Sequence, residues 1–119
     1  MSSMSPVYLD VDWALSQVGD VETLNGMMVM LEESLSRDIP LISTHFQAGD
    51  VVAANRLLHA IKGFVPIFCR EAFCSQVVAV EALSKDSHST SAGPAYEVLR
   101  PDLEQLLADV NEYLNGGGS

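Results

Sequence analysis

The sequence predicts an all-α fold: an up-down-up-down bundle of four sizeable helices with a short additional helix at the N-terminal end. Three observations carry this. Apolar residues recur at alternating spacings of three and four through four long stretches, the mark of a helix with one buried stripe. β-Branched residues are scattered among Leu, Ala, Met and Glu instead of gathering into alternating runs. The connections between the stretches are short, so successive helices must turn back on one another to bury their stripes. At 119 residues the chain suits a single domain with one core. The ordered part is expected to span residues 9 to 115, between a flexible N-terminus and a Gly-rich tail.

The first element, "LDVDWALSQVG", has an acidic start and Gly19 at its end, followed by Asp20, a good cap for what comes next. "VETLNGMMVMLEESLSRDIPLISTHFQAGD" reads as one long helix over 21–48, with apolar positions at Leu24, Met27, Met28, Leu31, Leu35, Ile39, Ile42 and Phe46. Pro40 lies inside it and should kink it, since proline lacks the N–H and crowds the carbonyl four residues back. Gly49 and Asp50 stop this helix and cap a third, expected from Val51 to Cys69. A fourth, "EAFCSQVVAVEALSK", follows a break near Arg70. "DSHSTSAGP" is the clearest loop. The last helix, "AYEVLRPDLEQLLADVNEYLN", aligns Tyr96, Leu99, Leu103, Leu106, Val110 and Tyr113, and its Pro101 marks either a kink or the true start.

The net charge of −10, with only six Lys and Arg spread along the chain, argues against a nucleic-acid surface, which needs clustered cations. No stretch reaches eighteen uncharged apolar residues, and "MSSMSPVYLD" lacks the basic and hydrophobic parts of a secretory signal. The expectation is a cytoplasmic protein without membrane contact. Cys69 and Cys74 lack the spacing and the His partners of a zinc site, and read as free thiols.

The third helix holds the chemistry. With roughly 100° per residue and His59 set at zero, Ile61, Phe68, Ala54, Leu57, Phe64 and Val65 gather on the opposite side, which is the core face. Asn55, Lys62, Gly63 and Pro66 share the side of His59, so the imidazole should face solvent from the middle of a rigid helix. Lys62 is one turn along, where its ammonium can reach a negative group placed on the ring. Gly63 costs a helix about 1 kcal/mol relative to alanine, which suggests that something must come close there. An exposed imidazole, a neighbouring cation and a cleared approach describe a phosphate-accepting histidine visited by a second protein. No G-x-x-x-x-G-K-[ST] or G-x-G-x-x-G nucleotide loop is present, so the partner must supply the rest of the chemistry.

"HAIKG" is similar to the H-x-[LI]-K-G signature of histidine-containing phosphotransfer (HPt) domains of two-component phosphorelays. The likeness extends through "FQAGDVVAANRLLHAIKG" and over the helix order of residues 10 to 115. The resemblance implies that His59 is the phosphoacceptor, through Nε2, that Lys62 steadies the phosphoryl group and that Gly63 clears the approach. By offset along the next helix it implies Glu81 as an acceptor for Nδ1–H and Lys85 as a second cation, the alternative being a solvated pair at i,i+4. It implies response-regulator receiver domains and a sensor histidine kinase as partners, with magnesium held by the receiver and no cofactor bound by this chain. Ala60 and Ile67, on the flank beside Gly63, are candidates for the centre of the receiver contact, with Asn55 and Arg56 at its rim; edge-of-core positions are the alternative for Ala60 and Ile67. The chain departs from the pattern in "FVPIFC", where Phe64, Phe68 and Pro66 stand in place of small residues. Pro66 is expected to disturb the helix at Lys62. Three other readings stay open: a non-phosphorylated helical adaptor, a metal-binding bundle, for which His45, His59 and His88 lack companions, and a helical enzyme.

Overall fold

The computed structural model describes residues 6–117. The described chain is all-helical: α1 (Val11–Val18), α2 (Val21–Gln47), α3 (Val51–Phe68), α4 (Glu71–Leu83) and α5 (Ala92–Glu112), with a short π-helical turn over Tyr113–Gly117. No strand occurs among the described residues, only an isolated antiparallel bridge between Leu9 and Cys69. The expected flexible tail lies partly outside the described residues, as does most of the expected flexible N-terminus.

The helix boundaries follow from caps written in the sequence. Asp10, Asp20 and Asp50 each accept a hydrogen bond from the backbone N–H three residues on, at Trp13, Thr23 and Ala53, satisfying donors that the first turn leaves free. Gly19 ends α1 at φ +105°, and Gly49 turns the chain between α2 and α3 at φ +75°; both conformations are strained for residues with a Cβ.

Three prolines lie inside helices, and Pro101 does not mark the start of the last one. α2 runs through Pro40, α3 through Pro66 and α5 through Pro101. α5 begins at Ala92, three residues inside the expected loop, because Pro94 occupies its first turn, where a missing N–H costs nothing. Ser89 Oγ accepts from the N–H of Ala92 at 3.1 Å and supports that start. At the end of α3 the free carbonyls are taken by the N-terminal segment. Trp13 Nε1 donates to Pro66 O at 2.8 Å, and the Asp10 N–H donates to Phe68 O at 2.9 Å.

α2 packs against α3 and α5, α4 packs against α3 and α5, and α1 lies on α2 and α3. At 27 residues and 1.5 Å each, α2 is about 40 Å long and sets the long axis of a molecule measuring 45 × 26 × 22 Å. The stripes close on one core, with Leu24, Met28, Leu35 and Ile42 of α2 facing Leu58 and Ile61 of α3, Val77 of α4 and Leu103 and Leu106 of α5. Tyr96 is fully buried and its hydroxyl donates to Ile39 O at 2.7 Å, so the polar tip is matched inside the core. By length and composition α3 could cross a membrane, yet its apolar face is committed to α2 and α4.

The segment before α1 is pinned as well. Asp109 Oδ2 accepts from the backbone N–H groups of Val7, Tyr8 and Leu9 at 3.0, 2.7 and 3.2 Å. Val7 and Tyr8 therefore join the ordered part that the sequence was expected to begin at residue 9. Both cysteines are free; Cys69 is buried, and desolvation pushes its thiol far above the usual range.

Candidate functional site

α3 turns one face inward and one outward, and the division follows the sequence. Ala54, Leu58, Ile61, Val65 and Phe68 are buried, while Leu57 and Phe64 are half-buried against the core. His59 stands opposite them with two thirds of its side chain exposed. Gly63, one turn on, is exposed, and a Cβ built there would meet no atom within 4 Å. The histidine face is open to solvent and to an approaching body.

Behind the ring lies a buried carboxylate. Glu81 comes from the last turns of α4 and is 1% exposed, the most buried acidic side chain among the described residues. Its Oε1 takes the Lys62 ammonium at 3.1 Å and faces the Lys85 ammonium at 3.9 Å. Its Oε2 lies 3.5 Å from His59 Nδ1 and accepts from Asn55 Nδ2 at 3.1 Å. Desolvation pushes this carboxyl up, but the hydrogen bonds from Lys62 and Asn55 and the charges of Lys62 and Lys85 outweigh it, so its pKa falls below the usual value. Glu81 is an ionised, fully partnered acceptor.

The structure thus brings His59, Lys62, Glu81 and Lys85 into one cluster, with Gly63 beside it. The solvated i,i+4 alternative for Glu81 and Lys85 is set aside for the carboxylate, which is out of water. Asn55, expected at a docking rim, is instead occupied inward: besides Glu81 Oε2 it donates to Glu81 O at 3.3 Å and to Ser84 Oγ at 2.8 Å. The reason is register, since Asn55 lies on the flank of α3 that meets the end of α4. Arg56 and Ala60 are exposed, and Ile67 is half-buried against the core, as a flank position should be. Pro66 leaves α3 helical and Lys62 in contact with Glu81, so the expected disturbance at Lys62 does not displace the ammonium from the site.

Ser84 is the member that sequence reasoning missed. It is 2% exposed, caps the end of α4, and its hydroxyl donates to Glu81 O at 2.8 Å while accepting from Asn55. A serine one turn after a candidate acid, at a helix end with free carbonyls, was the available signal.

On the other flank of α3 an apolar groove of about 160 Å³ runs between α2 and α3, lined by Met27, Met30, Leu31, Ser34, Phe64 and Phe68. Met30 at its edge is two-thirds exposed. The phenylalanines that depart from the signature help to build this groove.

Charge is distributed unevenly. Of the six basic residues, Arg37, Arg70 and Arg100 are each paired with a neighbouring acid, Asp38, Asp10 and Glu104. Of the other three, Lys62 and Lys85 share the Glu81 carboxylate, and Arg56 is exposed on α3 one turn before His59, so three of the six cations of a chain of net charge −10 stand on or next to the histidine face. Among the described residues no group of three or more His, Cys, Asp or Glu is placed to share a metal ion. Comparison of the chain with family models, with curated proteins and with solved structures finds no match.

Proposed function

We propose that this chain is a histidine phosphotransfer protein, which accepts a phosphoryl group on His59 from the aspartyl phosphate of a receiver domain and passes it to another receiver. The observation that carries the reading is the exposed imidazole of His59, whose Nδ1 faces a buried ionised carboxylate while Lys62 sits alongside. The ring of contacts α2–α3–α4–α5, with α1 lying on α2 and α3, supports the four-helix bundle on which such a site is carried. The cytoplasm, where receivers and sensor kinases meet, is the expected place.

The chemistry follows from the geometry. With Nδ1 protonated toward Glu81, the lone pair of Nε2 is the nucleophile and has no partner among the described residues. It attacks phosphorus in line, the N–P bond forms, and the P–O bond to the receiver's aspartate breaks, its electron pair leaving on that carboxylate. The ring becomes cationic, and Glu81 stabilises the charge through Nδ1–H. In this reading Lys62 and Lys85 are the cations that meet the phosphoryl oxygens, and magnesium is supplied by the receiver. The open space over Gly63 and the groove between α2 and α3 offer the receiver a surface beside the ring.

The test is incubation with phosphorylated receivers. Acid-labile, base-stable label is expected on the wild type and absent from His59→Gln. Label retained by that variant, or none on either protein with any receiver, overturns the proposal in favour of an adaptor that uses the bundle without phosphorylation.

A further inference from the structure

Glu81 has more donors around it than a carboxylate needs to stay ionised, and they are divided between its two oxygens. Both lysines are on the Oε1 side. Left to electrostatics alone, the carboxylate would turn toward them, and the imidazole would lose its acceptor. What holds Oε2 on the histidine side is neutral: Asn55 Nδ2 at 3.1 Å. Asn55 is itself fixed, since the same amide nitrogen reaches Ser84 Oγ at 2.8 Å, and Ser84 is tied to the backbone of Glu81 through its hydroxyl at 2.8 Å and its N–H at 3.1 Å.

We infer that Asn55 and Ser84 are positioning residues, which hold Glu81 so that Oε2 faces His59 Nδ1 and selects the imidazole tautomer with Nε2 unprotonated. This rests on the phosphotransfer reading for its purpose, but not for its physical content. An ionised carboxylate only accepts hydrogen bonds, so a neutral ring that bonds to it through Nδ1 carries its proton there. A glutamine at this position could present either its oxygen or its NH2 and would leave the choice open. The arrangement here is unambiguous because residue 81 is an acid, and directed because Asn55 and Ser84 are neutral. A purely structural role, tying α3 to α4, would not depend on which oxygen of Glu81 faces the ring.

The test is two-bond 15N–1H NMR on the full chain at about pH 8, where imidazole is neutral. His59 is assigned by the signals lost in His59→Gln. The wild-type ring is expected to be mainly Nδ1–H. In Asn55→Ala, Asn55→Asp and Ser84→Ala the Nε2–H form that free side chains prefer should become the majority. In parallel, phosphoryl transfer to His59 should fall on the order of tenfold in the same variants, as loss of an outer-shell partner does elsewhere. A wild-type ring in the Nε2–H form overturns the inference without any variant, so a variant that fails to fold does not protect it. An unchanged tautomer in folded Asn55→Ala and Ser84→Ala overturns it too. The two readings separate cleanly: a tautomer that shifts in a protein that never takes label leaves the positioning intact and removes phosphotransfer, and label without a shift does the reverse.

Discussion

A single carboxylate organises the residues of the site. Glu81 is buried, yet ionised, because Lys62, Lys85 and Asn55 replace the water it has lost; burying such a group with fewer partners would cost several kcal/mol. Gly63 is a different case. Nothing lies within 4 Å of where its Cβ would be, so the fold does not require a glycine there. Gly63→Ala should stabilise the isolated protein by about 1 kcal/mol, since alanine is the better helix former and meets no neighbour. If the open space serves a docking partner, the same substitution should weaken receiver binding or transfer. Thermal unfolding and a transfer assay on one variant check both; a gain in stability with unchanged transfer would remove Gly63 from the docking surface.

At the scale of elements, α3 is a rod held at both ends. Asp50 caps its start, and at its end the carbonyls of Val65, Pro66 and Phe68 are taken by Cys69 N–H, the Trp13 indole and Asp10 N–H. Pro66 costs α3 the bond to the Lys62 carbonyl, yet the helix continues through it to Phe68. Trp13→Phe keeps a smaller aromatic ring and deletes the indole donor, and should destabilise by about 1 kcal/mol in a denaturant titration; a change within error would mean that water replaces the bond. The helices, their caps at Asp20 and Asp50 and the outward aim of His59 were legible in the sequence, because helical period and capping chemistry are local. The start of α5 was not, since proline in a first turn looks the same in sequence as proline in a loop. Glu81 was reachable only by offset from the resemblance. Its burial, the inward turn of Asn55 and the part of Ser84 were not legible, because they depend on how the end of α4 meets the flank of α3, which no spacing within either helix records.

The molecule as a whole is anionic, with half of its few cations gathered near His59. Sixteen acidic residues against six basic ones leave it strongly anionic, while three of the six basic residues, Arg56, Lys62 and Lys85, stand on or next to the face of His59. The body is 45 Å long, several times the distance of about 8 Å over which charges are felt at physiological salt. A visitor of net negative charge is therefore repelled by the bulk from afar and drawn in only at short range. Association with such a visitor should be slow at about 0.01 M salt, where screening reaches only beyond 30 Å, fastest at intermediate salt, and slower again near 1 M, where the local attraction is also lost. Stopped-flow rates across that range give the profile, and a rate that only falls or only rises would mean that the two fields do not act separately. Ionic strength, more than shape, would then decide from how far away this protein can be found by what it serves.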